Sequence, residues 1–388
     1  MNICIVSSGT IRDSIPPMYG GGIQNYIYSI STFLASKGHN VKVFRRASTN
    51  FRIQNGNYNC LEIYGIKTIH NALFSTFLFS LKVIRKINKL VKKGEIEIIH
   101  VNSRVNATIL RFFFPHIPFI FTEHNWDIIY APIGYATSPL LYYSLLFFEL
   151  FSLNFSSVII CLSRFLCSRI RSLINFEKKN TRLKQLPNTI NEMLINESSP
   201  PLNDELSTEK YFLYIGRLEK EKNLSTLIKT FATTFSDTNK IKLYIIGTGS
   251  LNEYLTKLIS DQGAIDRIFI KDKLSNKKKN SYLKNCLCLV LPSFYEVMPT
   301  VILEAYALRK PVIASNIAPH RELVRNKITG YLFNPNKEDN LAEMLNKMND
   351  NNSNMMGMKA YKIFKKTYSV KNIGEKLVSI YKRTIYEK

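Results

Sequence analysis

The sequence predicts an α/β protein of two doubly wound, Rossmann-like domains facing across a cleft. Three observations predict it. Short apolar runs recur between helical stretches of about 10–15 residues, the pattern of parallel strands joined by crossover helices. There are two such series, each opening with a buried-looking strand: Asn2–Val6 and Tyr211–Gly216. The chain has 388 residues, 45% of them hydrophobic, too long for one ordinary core and comfortable for two.

The first series starts at Asn2–Val6 and enters a glycine-rich loop, Tyr19-Gly20-Gly21-Gly22, followed by a helical pattern to about Lys37. Further strands are expected at Val41–Phe44, Ile96–Val101, Phe119–Thr122 and Val158–Leu162. In the second series strands are expected at Lys242–Ile246, Arg267–Ile270, Leu287–Leu291 and Pro311–Ala314. Between the series, Pro187 to Glu209 is rich in Asn, Pro, Ser and Glu, a linker composition. The expected organisation is a first domain over 1–190, a linker over 191–209 and a second domain over 210–370. A terminal helix over 371–388 is free to cross back to the first domain. Open α/β sheets bind ligands beyond the carboxyl ends of their strands.

Charge is the unusual bulk property. Lys plus Arg number 53 against 29 Asp plus Glu, a net +24. Residues 1–200 hold 22 basic and 10 acidic groups, which leaves +12 on each part. There is thus no basic tail of the kind that binds nucleic acid. A positive field over the whole molecule favours anionic partners, although the abundance of Lys, Asn and Ile also fits a coding bias. The six cysteines form no C-x-x-C pair and no zinc spacing, so reduced thiols are expected. Cys286 and Cys288 read as one face of a strand. No secretory leader is expected ahead of the first strand, and the longest apolar stretch, Leu140–Phe148, is too short to span a bilayer.

Three motifs carry chemistry. In the first, Pro292-Ser293-Phe294-Tyr295-Glu296-Val297-Met298-Pro299-Thr300 follows a strand and opens a helix that contains Glu304. Pro299 suits a helix start because the N–H it lacks would go unpaired there. The backbone around Met298, Pro299 and Thr300 makes an anion site, and Glu296 and Glu304 can accept from hydroxyls. Spacing alone equally allows an exposed Glu and a salt-bridged one. The second motif, Gly216-Arg217-Leu218-Glu219-Lys220-Glu221-Lys222, ends the strand that opens the second domain. Arg217 and Lys222 can flank a diphosphate in place of a divalent metal, or belong to a solvated charged loop. The third is Gly247-Thr248-Gly249.

Taken together and in order, Arg217 with Lys222, the Gly247-x-Gly249 turn and Glu296-x7-Glu304 resemble glycosyltransferase family 4, the group 1 retaining transferases of GT-B fold. The resemblance covers nearly the whole chain. It implies a retaining, metal-independent glycosyltransferase with no cofactor and a UDP- or GDP-sugar donor. Arg217 and Lys222 would hold the diphosphate, Glu304 the ribose and Glu296 the transferred sugar. Gly216, Gly247 and Gly249 would line the donor site. Gly21 and Gly22 would approach donor phosphate and acceptor. Thr122-Glu123-His124 resembles the family's Thr-x-His segment, which would put His124 beside the donor sugar; read without the family, His124 is also a structural histidine. Pro187-Asn188 is similar to the Asn-Gly motif ahead of the linker. Val297 and Thr189 stand where the family commonly has Gly. No Asp-x-Asp occurs.

The expected partners are a nucleotide-sugar donor, a saccharide acceptor linked to polyprenyl diphosphate, as in surface-polysaccharide or lipopolysaccharide synthesis, and an anionic membrane; nucleic acid is not expected. The expected location is cytoplasmic, peripheral at the inner face of the cytoplasmic membrane. Helix Leu73–Lys93 surrounds an apolar stripe (Leu81, Ile84, Ile87, Leu90, Val91) with Lys82, Arg85, Lys86, Lys89, Lys92 and Lys93. Such a helix either lies in a membrane interface or docks its stripe on its own sheet. Aromatic-rich Leu140–Phe155, with Tyr142, Tyr143, Phe147, Phe148 and Phe151, is a second membrane or acceptor surface, or core. Two rival classes remain: a sugar-nucleotide epimerase of the same architecture, which needs acid/base carboxylates, and a non-catalytic basic binder, which needs a nucleic-acid module.

Overall fold

The computed structural model describes residues 1–7, 21–55, 58–68, 72–124, 139–173, 182–192, 195, 209–236, 240–348 and 350–386. Tyr19 and Gly20 of the glycine loop, and 193–194 and 196–208 of the expected linker, lie outside them. Contacts divide the chain into two units. The first takes the amino-terminal strand, Ile23–Thr189 and Val370–Lys388; the second takes Gly21 and Gly22 with Ile190–Ser369.

In the first unit the order is β1 (Asn2–Ser7), α1 (Gly22–Ser36), β2 (Asn40–Ala47), β3 (Phe51–Asn55), β4 (Tyr58–Lys67), α2 (Ala72–Lys92), β5 (Ile98–Val101), α3 (Arg104–Phe113), β6 (Phe119–Glu123), α4 (Pro139–Phe155), β7 (Val158–Cys161), α5 (Arg164–Leu173) and β8 (Arg182–Gln185). The strands form one sheet, β3-β4-β2-β1-β5-β6-β7-β8, parallel except where β3 pairs with β4. Strands buried on both faces read as continuous apolar runs, which is why β1, β5, β6 and β7 stand out in the sequence. β3 and β8 are polar edge strands, and β4 alternates, so their runs were silent.

The second unit runs β9 (Lys210–Ile215), α6 (Leu224–Thr234), β10 (Ile241–Ile246), α7 (Asn252–Asp261), β11 (Ile268–Lys271), α8 (Asn276–Asn285), β12 (Cys288–Leu291), α9 (Thr300–Ala307), β13 (Val312–Ser315), α10 (Ala318–Leu323), β14 (Gly330–Phe333), α11 (Glu338–Lys347) and α12 (Asp350–Ile363). Its sheet, β11-β10-β9-β12-β13-β14, is parallel throughout. This is the doubly wound order in which the chain reverses direction beside its first strand, between β9 and β12. The described ends of the 191–209 segment bind within this unit. Glu192 accepts from Tyr361 at 2.6 Å and from Lys365 at 2.9 Å. Glu209 accepts from Tyr244 at 2.8 Å.

The last helix, α13 (Val370–Tyr386), belongs to the first unit. Ile373, Leu377 and Tyr381 lie four apart on one face and enter the core made by Ile3, Ile5, Val41, Val43, Ile98 and Ile27. A fully buried side chain of this kind contributes roughly 1.5–3 kcal/mol.

Two expectations are corrected. Cys161, ending β7, and Cys167, on α5, form a disulfide with Cα atoms 5.5 Å apart, where reduced thiols were expected. The turn from strand to helix brings them face to face, a proximity that linear spacing does not display. Cys286 caps α8 rather than sharing a strand with Cys288, though both are buried. The α2 stripe docks on its own unit: Ile84 and Ile87 are buried, and the helix packs on β4 and α3.

Candidate functional site

The second unit gathers its candidate residues beyond the carboxyl ends of β9, β10 and β12. The loop after β12 runs from Pro292 to Pro299, and Pro299 caps α9. Glu296 lies in that loop. Its Oε1 accepts from Lys222 Nζ at 2.8 Å and from Ser293 Oγ at 3.0 Å. Lys222 ends a single 3-10 turn, Lys220–Lys222, after which Asn223 adopts the left-handed conformation at φ 54° and α6 begins. The backbone N–H of Phe294 donates to the Glu221 carbonyl at 2.9 Å, so the two loops are stitched together.

A second rank supports this pair. Ser315 Oγ donates to the Ser293 carbonyl. His320, fully buried, donates from Nδ1 to the Ser315 carbonyl at 2.9 Å. Burial lowers the His320 pKa, partly offset by the Glu296 charge, so the ring is neutral and rigidly oriented.

The glycines have a mechanical role here. Gly216 N–H donates to the Ile246 carbonyl and Leu218 N–H to the Thr248 carbonyl, at 3.1 and 3.0 Å. These bonds zip the loops after β9 and β10. A Cβ on Gly247 (φ 155°) would fall 1.8 Å from the Gly216 oxygen, and one on Gly249 would fall 2.3 Å from the Leu218 oxygen. Only glycine permits that approach.

Glu304 sits on the buried side of α9. Its partner is Lys279 of α8, Nζ to Oε2 at 2.7 Å, with both side chains nearly closed to solvent. Arg217 stands apart from these pairs. Its side chain is 67% exposed and its guanidinium binds Glu221 at 2.7 Å. Thus Lys222 and Glu296 are brought together, Arg217 faces Glu221, and Glu304 faces Lys279. Met298 and Pro299 are buried before the amino end of α9, where the first amides have no intrahelical partner.

Gly22 opens α1, with Gly21 just before it, and both group with the second unit, whereas the rest of α1 belongs to the first. His124 follows β6 and is buried. Its Nε2 donates to Asn102 Oδ1 at 2.9 Å, and the Tyr26 ring meets it edge-on, centroids 5.4 Å apart. Nδ1 has no partner among the described residues. Burial pulls the His124 pKa down to about 3, so the imidazole is neutral and presents one acceptor lone pair. Beside it runs a buried polar chain. His100 Nδ1 meets Tyr381 Oη and its Nε2 meets Thr122 Oγ1, each at 2.6 Å. Burial lowers the His100 pKa to about 3 as well, helped by His124.

Sequence reasoning passed over Ser293, Ser315, His320 and Lys279, and in the first unit Asn102, His100 and Tyr381. His100 carried a signal, a polar residue inside the apolar strand Ile98–Val101. Lys279 was hidden in the run Lys277-Lys278-Lys279, and Tyr381 lies 281 positions from its partner. Among the described residues, no three His, Cys, Asp or Glu side chains come together as metal ligands would.

Comparison with known proteins bears on both units. The family model for glycosyl transferases group 1 matches residues 197–364, and that for glycosyltransferase family 4 matches residues 20–192. An uncharacterized glycosyltransferase of Methanocaldococcus jannaschii is 24% identical over 387 residues, covering 95% of each chain. The alpha-monoglucosyldiacylglycerol synthase of Streptococcus pneumoniae is 23% identical, over 96% of this chain and 85% of its own. In fold, the sucrose-phosphate synthase of Thermosynechococcus elongatus superposes with a TM-score of 0.81 at 19% identity, covering 100% and 99% of the two chains.

Proposed function

Because this chain belongs to the group 1 glycosyl transferases of family 4, which use nucleotide sugars, we propose that it is a retaining, metal-independent transferase acting on a lipid-linked saccharide at the inner membrane face. The observation that carries the reading is the Lys222–Glu296–Ser293 cluster beside the amino end of α9. A diphosphate arriving at Lys222 competes for its ammonium and frees Glu296 to accept from sugar hydroxyls. Arg217, exposed and on the same loop, swings to the same group from Glu221. Two cations and the helix amides then stabilise the charge that develops as the bond between the sugar and the diphosphate breaks. Attack on the same face forms the new glycosidic bond, and the departing phosphate oxygen takes the acceptor's proton. Neutral His124 orients the sugar by accepting from one hydroxyl at Nδ1; with a pKa of about 3 it carries no proton to give at pH 7.

The membrane part of the reading draws on the helical layer α2–α3–α4. It exposes Phe77, Phe112, Phe113, Tyr143, Phe147 and Phe155. Helix α4 is apolar on every side, so burying one side leaves the other exposed. Lys82, Arg85, Lys89 and Lys92 of α2 are exposed in the same layer. Its one acid, Glu149, is buried and held by Arg104 at 2.9 Å. Exposed aromatics with cations and no exposed carboxylate suit an anionic bilayer surface. No helix among the described residues is long and apolar enough to cross a membrane.

Thermal melting against UDP-, GDP-, ADP- and CDP-sugars with EDTA present tests the donor site. One of them is expected to raise the melting temperature, and Lys222→Ala is expected to abolish the rise. Absence of a rise with every donor overturns the assignment.

A further inference from the structure

The first unit buries a cation that its mechanism does not use. Arg46 lies near the carboxyl end of β2 and is only 9% exposed. Its Nη2 donates to Thr76 Oγ1, one turn into α2, and its guanidinium lies 5.9 Å from the Phe79 ring centroid. Its Nε has no hydrogen-bond partner among the described residues. Among the described residues no carboxylate pairs with it. Burial without a neighbouring acid pulls its pKa below the ordinary guanidinium value. A buried charge without a counter-charge is costly, and a ring face offsets only part of that cost.

Three further observations converge on the same spot. Thr68, just beyond β4, donates its N–H to the Ala47 carbonyl at 3.2 Å and so stands beside the end of β2. Its side chain is buried and its hydroxyl has no partner among the described residues. Helix α2, of 21 residues, starts here and turns its positive end toward the strand ends, which raises the cost of a guanidinium alongside it. The same pair of elements carries a further cation: Lys82 Nζ of α2 donates to the Lys67 carbonyl at the end of β4, at 2.8 Å. The feature these groups lack is an anion. The spot also lies at the carboxyl ends of parallel strands, where α/β sheets take their ligands.

We propose that Arg46, Thr68 and the amino end of α2 form an anion subsite that takes a phosphoryl group of the acceptor. A guanidinium, a hydroxyl and helix amides supply donors from three directions, which suits a tetrahedral phosphoryl group. The inference rests on the transferase reading only for the statement that the phosphoryl group is the acceptor's.

The test is thermal melting of wild type, Arg46→Met, Arg46→Lys, Lys222→Ala and Arg46→Met/Lys222→Ala with inorganic diphosphate or geranyl diphosphate, against sodium chloride at matched ionic strength. Diphosphate is expected to raise the wild-type melting temperature by about 2–4 °C at roughly 100 times its Kd. Because the Lys222 loop also takes diphosphate, each single variant is expected to lose part of the rise: the part that survives Lys222→Ala is lost in Arg46→Met/Lys222→Ala. Arg46→Met without ligand is expected to melt no lower than wild type, since the charge it removes is uncompensated. If Arg46→Met does not fold, Arg46→Lys decides: loss of at least half the rise supports the subsite, and full retention overturns it. A rise unchanged in Arg46→Met but abolished in Lys222→Ala also overturns it, because all binding is then in the second unit. A larger rise with geranyl diphosphate than with diphosphate assigns the group to a lipid-linked acceptor, and equal rises assign it to a soluble one. A UDP-sugar response that needs Lys222 is read in parallel, so loss of the donor reading and loss of the Arg46 subsite are told apart.

Discussion

The two units hold their candidate residues by opposite electrostatic means. In the second unit, charges face charges: Lys222 with Glu296, Lys279 with Glu304, Arg217 with Glu221. In the first, His100 and His124 are neutral and held by hydroxyls and an amide: Tyr381, Thr122 and Asn102. In the proposed reading the difference separates two tasks, receiving the donor diphosphate at the paired charges and orienting the sugar at the histidines. A site that must receive a diphosphate keeps cations ready and parks them on carboxylates until the ligand displaces them. A site that must orient a neutral sugar gains from fixed dipoles that do not repel or trap charge.

The strongest way to break this comparison is at the buried pair. Lys279→Met removes the cation that faces the buried Glu304 carboxylate, and a loss of about 3–5 kcal/mol is expected in urea unfolding. The double variant Lys279→Met/Glu304→Leu is expected to recover most of it. A loss below about 1 kcal/mol in the single variant would show that the pair is solvated.

Next comes Lys222→Met, expected to lower kcat about 10²–10³-fold by removing one fixed cation from the leaving group. Steady-state turnover with the identified donor checks it, and a change under about 5-fold removes Lys222 from the chemistry.

The third sharpens the neutral side through pH. Above about 6.5, folded and unfolded histidines are both neutral and pH has no effect through them. Below it the unfolded chain takes up protons that His100 and His124 refuse until about pH 3, so stability is lost as pH falls through that window. A drop of about 2–3 kcal/mol between pH 6 and pH 5 is expected, roughly halved in His100→Gln. An equal pH slope in that variant would mean that His100 titrates normally.

The smallest effect is expected for Arg217→Ala. Its ion pair with Glu221 is largely exposed and screened, so stability should change by less than about 0.5 kcal/mol, while donor affinity falls several-fold. Isothermal titration and urea unfolding separate the two.

Much of this was legible in the chain. Buried parallel strands are apolar throughout, so β1, β2, β5, β6, β7 and β9 to β13 could be read from composition. The polar edges β3 and β8 could not, because one exposed face removes the signal. Gly247 and Gly249 were visible as glycines, but their reason, two loop backbones in near contact, is a distance between strands. For Glu304 the sequence left two readings open, an acceptor of hydroxyls and a salt-bridged carboxylate. The tertiary structure displays the salt bridge to Lys279.

By itself, then, the order of residues determined the two α/β units, the position of Glu296 and Glu304 around a helix start, and the glycine turns. These follow from local rules: hydrophobic period, the missing proline N–H and glycine's freedom at φ. Only the tertiary structure decided the partners. It chose Lys279 from a run of lysines, set Tyr381 against His100, and buried Arg46 where no carboxylate among the described residues pairs with it. Partnership depends on which groups share a desolvated volume, and that volume is made by crossovers joining residues up to 281 positions apart.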